Sequence, residues 1–233
     1  MVNDYRAGRA TSCNWKLVPD SSIVCNTSMP NCNRFELVSP VLKGGGGLNQ
    51  VSQMLKRLHD YSRREPRIQL SVNKSMGFHV HINVAVLSHE ELIKVCQNFV
   101  KYESVMDTLM PPSRRNGSPE SNRFFQSNRA CVAQTIGSNR NKAIHEALGA
   151  CRNTSSLAQV MNANSRYYKL NLQNLVSTNR YQPTLEFRQH SATMNFHKVG
   201  AWIRFCFRLV HNSARLAPPR PFRENPDFGY QFE

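Results

Sequence analysis

The chain has 233 residues and a formal net charge of +15, with 30 Lys and Arg against 15 Asp and Glu. No stretch approaches the roughly 18 consecutive apolar residues of a membrane-spanning helix. The polar N-terminus lacks the apolar run of a secretory signal, so we expect a cytoplasmic protein without a membrane partner. The charge favours an anionic partner, either a nucleic acid or a nucleoside triphosphate with an acidic substrate.

The first third of the chain predicts two short strands and a helix. The strands cover residues 15–18 and 34–40, and a Pro-Asp-Ser-Ser turn follows the first. Four consecutive glycines at 44–47 predict a flexible turn, since no Gly-Lys-Ser/Thr of a phosphate loop follows them. Apolar residues from Leu48 to Leu58 then recur at helical spacing.

The rest of the chain alternates strands with helices. Ser88 and Glu91 form a capping box that opens a long helix, and two prolines at 111–112 end it. Residues 113–140 are rich in Arg, Asn and Ser without periodicity, which predicts a long loop. The other predicted elements are a strand within 72–86, helices near 142–148 and 156–162, strands at 167–176 and 184–190, and a final helix from about 195.

This order of elements predicts an α+β fold with an antiparallel sheet. We expect a disordered or incomplete N-terminus at 1–13, one domain at 14–216 and a Pro-rich tail at 217–233. The seven cysteines are odd in number and none has the Cys-x-x-Cys spacing of zinc sites, which predicts reduced thiols and no structural zinc.

Two histidines alternate with apolar residues in the strand predicted within 72–86. Residues two apart in a strand share a face, so His79 and His81 stand roughly 6–7 Å apart at their bases. Neutral imidazoles ligate metals, whereas a protonated imidazole binds phosphate. A solvated strand face that happens to carry two histidines is the alternative, because the motif is short.

Two of the scarce carboxylates lie inside apolar strands. Glu36 follows Phe35, and Glu186 shares a strand face with Arg188. Carboxylates from two strands with an imidazole from a third suit magnesium or manganese, and nearby arginines suit phosphate oxygens. A solvated salt bridge between Glu186 and Arg188 is the alternative.

Basic residues cluster in two further places. Arg114 and Arg115 follow the helix-ending prolines and predict either a phosphate clamp or a solvated basic loop. Tyr167 and Tyr168, between Arg166 and Lys169, suit either a nucleic-acid surface or an ordinary strand.

Taken together, six short segments resemble the amidoligase family, which is grouped with glutamine synthetase and glutamate–cysteine ligase. The segments occur in the family's order, at residues 15–22, 35–42, 77–81, 112–115, 166–172 and 184–190. The resemblance covers about residues 14–212. It implies a glutamine-synthetase-like catalytic domain, with helices packed on one face of the antiparallel sheet.

The resemblance also implies a reaction. ATP would phosphorylate an amino-acid or peptide carboxylate to an acyl phosphate, and an amine would displace phosphate to give an amide, with Mg²⁺ or Mn²⁺ as the cation. Segments 77–81 and 184–188 are similar to the Gly-Met-His-x-His and Arg-Ile-Glu-x-Arg strands of glutamine synthetases. This similarity implies that His79 and Glu186 are metal ligands, that His81 contacts the cofactor and that Arg188 is catalytic. The family's other motifs imply further site residues: Glu36 at the metal, Arg166, Asn171 and Asp20 at the cofactor, and Arg114 in catalysis.

One departure from the family pattern lowers the expected activity. Members usually begin with a Glu-x-Glu strand that supplies metal ligands, whereas the first glutamate here is Glu36. We therefore expect a fragment or a degenerate site, with weak ATP binding. Two other hypotheses stay open, namely a basic nucleic-acid-binding protein and a catalytically inactive scaffold of the same fold.

Overall fold

The computed structural model describes residues 13–25, 32–119, 121–179 and 181–220. The predicted N-terminal region 1–13 therefore lies almost wholly outside the described residues, as does the tail beyond 220. Residues 217–220 form neither helix nor strand. The chain divides into two compact units: a small unit of residues 1–76 with 192–200, and a large unit of residues 77–191 with 201–233.

The small unit contains a two-stranded sheet and one long helix. Strands β1, Lys16–Pro19, and β2, Phe35–Val38, pair antiparallel. Helix α1 covers Gly44–Arg64, so the four glycines form its first turn and the predicted flexible turn is wrong. A Cβ on Gly47 would lie 2.8 Å from the Cβ of Leu42, which explains why this close approach needs glycine.

A disulfide in the small unit corrects the expectation of reduced thiols throughout. Cys25 and Cys32 are joined, with their Cα atoms 6.1 Å apart. Their separation of seven residues matches no standard zinc or redox spacing, so the sequence pattern could not reveal the bond. The other five cysteines are free, and four of them are buried.

The large unit is built on a three-stranded antiparallel sheet. Its strands are β3, Gly77–Asn83, β4, Leu170–Asn171, and β5, Thr184–Ser191, with β5 in the centre. Strand β4 is much shorter than the predicted strand at 167–176, because the side chain of Asn171 accepts a hydrogen bond from the Gln173 backbone and turns the chain into a 3₁₀ segment.

In the part of the chain that the structure describes, six α-helices belong wholly or partly to the large unit. They are α2, His89–Thr108, α3, Ser121–Phe124, α4, Asn128–Ile136, α5, Asn141–Gly149, α6, Thr154–Asn162, and α7, Phe196–Arg215. The predicted capping box is confirmed: Ser88 Oγ accepts from the Glu91 backbone N–H at 3.2 Å, and Glu91 Oε2 accepts from the Ser88 N–H at 2.8 Å.

Helix α4 overturns the predicted long loop at 113–140. The helix buries Asn128, whose amide donates to the carbonyls of Met161 and Leu170 and accepts from the Leu170 N–H. A polar side chain thus occupies a core position and is fully hydrogen-bonded there. Because a polar residue stands where an apolar one would be expected, α4 lacks the apolar helical periodicity on which the prediction relied.

The sheet packs its apolar face against the helices. Val80, Leu185 and Phe187 belong to the same buried cluster as residues of α2, α4, α5 and α6. The Phe187 ring meets Phe99 of α2 edge-on, with centroids 5.9 Å apart. The α+β prediction with an antiparallel sheet is confirmed. None of the helices in the described part of the chain combines the length and apolar composition that a membrane crossing requires.

Candidate functional site

The opposite face of the sheet carries the predicted site residues of the large unit. Glu186 lies on the central strand, directly across from His81 of β3 and Asn171 of β4. Because alternate strand residues share a face, His79 and Arg188 join them. Only 4% of Glu186 and 4% of Arg188 are exposed, so the pair is not the solvated surface salt bridge that the sequence left open.

The carboxylate of Glu186 is the centre of this arrangement. Its Oε1 accepts a short hydrogen bond from Arg188 Nη1, and its Oε2 accepts from Asn171 Nδ2 at 2.6 Å. The same Oε1 lies 3.4 Å from His79 Nδ1 and 3.7 Å from His81 Nε2. Side chains from all three strands therefore converge on one buried anion.

The neighbouring Arg188 cation is the main group that keeps this carboxylate ionised. Burial by itself would raise the pKa of Glu186, but the charge of Arg188, then His79, His81 and the Asn171 hydrogen bond, lower it to about 2. Glu186 is therefore a carboxylate anion at any physiological pH.

Both histidines are held in the neutral form. Burial lowers the pKa of His79 to about 3, and Arg188 adds to this effect while Glu186 opposes it. The pKa of His81 is also lowered, again by burial first and against the pull of Glu186. Neutral imidazoles can ligate a metal or donate one hydrogen bond, so the interpretation as a protonated phosphate ligand is disfavoured in this state.

Three arginines give the site an excess of positive charge. Besides Arg188, Arg114 contributes to the lowered pKa of His79 and Arg166 to that of His81. Arg114 is 3% exposed, and its Nη1 would lie 3.4 Å from a Cβ placed on Gly77. Arg188 pairs with Glu186, and the charges of Arg114 and Arg166 act on the neighbouring imidazoles, so the three guanidinium groups outnumber the single carboxylate, which suits an anionic ligand.

The fit to a divalent cation is incomplete. Within the described residues, no group of three or more His, Cys, Asp and Glu is arranged to hold a metal ion. Both oxygens of Glu186 already accept hydrogen bonds, and Glu186 is the one carboxylate among these site residues of the large unit. These donors alone therefore do not furnish the oxygen-rich shell that magnesium requires.

The two remaining predicted site residues belong to the small unit. Glu36 is exposed on β2, across from Val18. Asp20 closes a turn, since its Oδ1 accepts from the backbone N–H and the hydroxyl of Ser22. Their assigned roles at a metal and a cofactor stay predictions.

Sequence reasoning missed two side chains at the edge of the site. Thr184 Oγ1 lies 3.2 Å from His81 Nδ1 and so orients the ring. Alternation along β5 from Arg188 and Glu186 would have pointed to Thr184. Tyr167, which the sequence suggested only for a nucleic-acid surface or a strand, has its ring centroid 5.7 Å from the Arg188 guanidinium.

A cationic sheet face around one buried carboxylate is the kind of site found in enzymes that act on anionic substrates. The model of one family, described as "putative amidoligase enzyme", matches residues 2–210. The chain belongs to this family, as its motifs predicted, and membership indicates a ligase that joins a carboxylate to an amine. No curated protein and no solved structure matches the chain.

Proposed function

We propose that this chain is an ATP-dependent carboxylate–amine ligase with a glutamine-synthetase-like catalytic fold. The observation that carries the proposal is the convergence of His79, His81 and Asn171 on Glu186, with Arg188 paired to the same carboxylate. With the added charges of Arg114 and Arg166 near the imidazoles, this face offers fixed positive charge where phosphate charge would develop during transfer.

The arginines have the clearest role in this proposal. Arg188 is held by Glu186, so its guanidinium presents a fixed orientation instead of a mobile one. Arg114 and Arg166 add positive charge near the two imidazoles. Together they would bind the oxygens of the transferring phosphoryl group and of the substrate carboxylate, because guanidinium groups match these oxygens in geometry and charge.

The proposed reaction has two steps. A carboxylate oxygen of the substrate attacks the γ-phosphorus of ATP, the bond to the β-phosphate oxygen breaks, and ADP leaves. The amine nitrogen then attacks the acyl carbon of the acyl phosphate, inorganic phosphate leaves, and the nitrogen loses a proton to give the amide. Mg²⁺ or Mn²⁺, when bound, would neutralise phosphate oxygens, and Glu186 and His79 are the predicted ligands that the large unit would contribute.

Hydroxylamine provides a direct test, because it traps acyl phosphates as hydroxamates. The chain would be incubated with ATP, Mg²⁺ and each of the 20 amino acids, and hydroxamate and ADP would be measured. We expect both products with at least one acid, and their loss in Arg188→Met. Arg204→Met, an exposed arginine on α7, is the matched control and should keep the activity.

Two outcomes would decide against the ligase. The absence of both hydroxamate and thermal stabilisation by ATP with Mg²⁺ would contradict the proposal. Stabilisation without turnover in any combination would instead support the inactive scaffold.

The nucleic-acid hypothesis rests on the +15 charge. It predicts binding of DNA or RNA whose affinity falls steeply between 50 and 200 mM salt, on the order of a thousandfold for six phosphate contacts.

A further inference from the structure

Strand β5 has a β-bulge at the residue that binds Glu186. Phe78 pairs with His190 and Val80 pairs with Phe187, so His79 alone stands opposite two residues, Arg188 and Gln189. A bulge interrupts the ladder and redirects a side chain, and it persists only where other contacts hold it. The position of the Arg188 guanidinium therefore depends on what fixes this bulge.

One buried lysine is linked to both bulge residues, directly to Arg188 and through Asp107 to Gln189. The Lys169 carbonyl accepts the Arg188 backbone N–H at 2.8 Å. The Lys169 ammonium donates to both oxygens of Asp107, at 2.7 and 2.8 Å, and the side-chain amide of Gln189 donates to the same carboxylate. The main chain of Lys169 thus holds Arg188, and its side chain holds Gln189 through Asp107.

The Lys169 ammonium group has all of its hydrogen bonds within this buried cluster. Lys169 is 0% exposed, and its three ammonium hydrogens face three side-chain groups, those of Asp107, Asn116 and Glu103. No hydrogen is left over for a substrate. A buried ammonium and buried carboxylates are costly to desolvate and need such complete pairing, so the cluster is poorly suited to chemistry of its own and well suited to fixed geometry.

We infer that Lys169, Asp107 and Gln189 are positioning residues for Arg188. They hold the bulge in place, and the bulge directs the Arg188 guanidinium to Glu186 and to the sheet face where phosphate oxygens are proposed to bind. The inference rests on the proposed function, which gives Arg188 its role in binding phosphate. The effect of the three residues on the position of Arg188 can be tested without any substrate.

The test measures solvent hydrogen exchange of the Arg188 Nε–H by NMR, a proton that points to the carbonyl of Phe124 at 3.4 Å. Gln189→Met removes the amide that donates a hydrogen bond to Asp107, and it leaves all three side-chain partners of Lys169 in place. We expect exchange at Arg188 to rise about tenfold or more, as expected for loss of a hydrogen bond to a charged group.

Gln97→Met is the matched control. Gln97 is also buried, at 6% exposed, and its amide donates to the His145 carbonyl at 3.0 Å, away from the bulge. It makes the same Gln→Met change and loses one buried amide hydrogen bond, to a neutral carbonyl instead of a carboxylate, without touching β5. We expect exchange at Arg188 to stay within about twofold of the unaltered chain.

Equal exchange at Arg188 in the two variants would overturn the inference. If Gln189→Met does not fold, Gln189→Asn keeps the amide on a side chain one methylene shorter, and unchanged exchange there would overturn it equally. Absent hydroxamate formation by the unaltered chain would instead contradict the ligase proposal, and the exchange result would stand.

Discussion

Gly77→Ala separates the geometry of the site from the stability of the fold. A Cβ on Gly77 would lie 2.7 Å from His79 Nε2 and 3.2 Å from His79 Cδ2. To reach an ordinary contact of about 3.4 Å, the imidazole must retreat by roughly 0.7 Å. The backbone of Gly77 does not have the positive φ that disfavours alanine, so the strand itself accepts the change.

The expected cost falls on binding and not on folding. Alanine in a strand avoids the roughly 0.5–1 kcal/mol entropic penalty of glycine, which offsets part of the steric strain, so the free energy of unfolding should change by less than about 1 kcal/mol. Under the proposed function, a 0.7 Å displacement of the His79 ring should weaken the binding of ATP with Mg²⁺ on the order of tenfold to a hundredfold. Thermal stabilisation by ATP with Mg²⁺ measures the binding loss, and urea unfolding measures the stability.

A second glycine provides the control. A Cβ on Gly46, in the first turn of α1, meets nothing within 4 Å. Gly46→Ala should leave the ligand-induced stabilisation unchanged. Unchanged imidazole chemical shifts of His79 in Gly77→Ala, together with full stabilisation by ATP with Mg²⁺, would refute the predicted displacement of the ring.

Three other predictions follow from the same contacts. Glu186→Gln removes the partner of a buried guanidinium, and we expect a loss of roughly 3–5 kcal/mol in the free energy of unfolding; a change under about 1 kcal/mol in urea unfolding would show that Arg188 finds another partner. His79 has a pKa of about 3 when folded and 6.5 when free, so the unfolded chain binds the extra proton and stability is lost as pH falls below 6.5. Between pH 7.5 and 5.0 the unaltered chain should lose up to about 2 kcal/mol more than His79→Gln, and equal losses would contradict the neutral imidazole. Thiol titration in denaturant should count five reactive groups before reduction and seven after it, because Cys25 and Cys32 are joined; seven before reduction would show that the bond is absent.

The sequence predicted best where local patterns act alone. The capping box at Ser88 and Glu91 fixes the start of α2 by contacts within four residues, so it could be recognised without a fold. Alternation in the two strands likewise assigned His79, His81, Glu186 and Arg188 to polar faces. That these two faces are one face of the same sheet follows from the strand register, to which the family resemblance pointed.

The missing features depend on contacts between distant segments. The bulge at Arg188 and Gln189 is fixed by Lys169 and Asp107, which precede it by about 20 and 80 residues. Lys169 stands beside two tyrosines and a basic residue, a context typical of a surface, although it is completely buried. Burial of a charged residue depends on its partners, and the sequence does not reveal those partners until the fold brings them together.

The central position of Glu186 also makes the site a product of cooperative folding. His81 and Thr184 are 103 positions apart in the chain, and Asn171 reaches the carboxylate from the opposite edge through a strand of only two residues. Closing such long loops costs entropy before any contact repays it. An intermediate in which either edge strand is undocked would lack one side of the constellation, so ligand binding would report completion of the sheet.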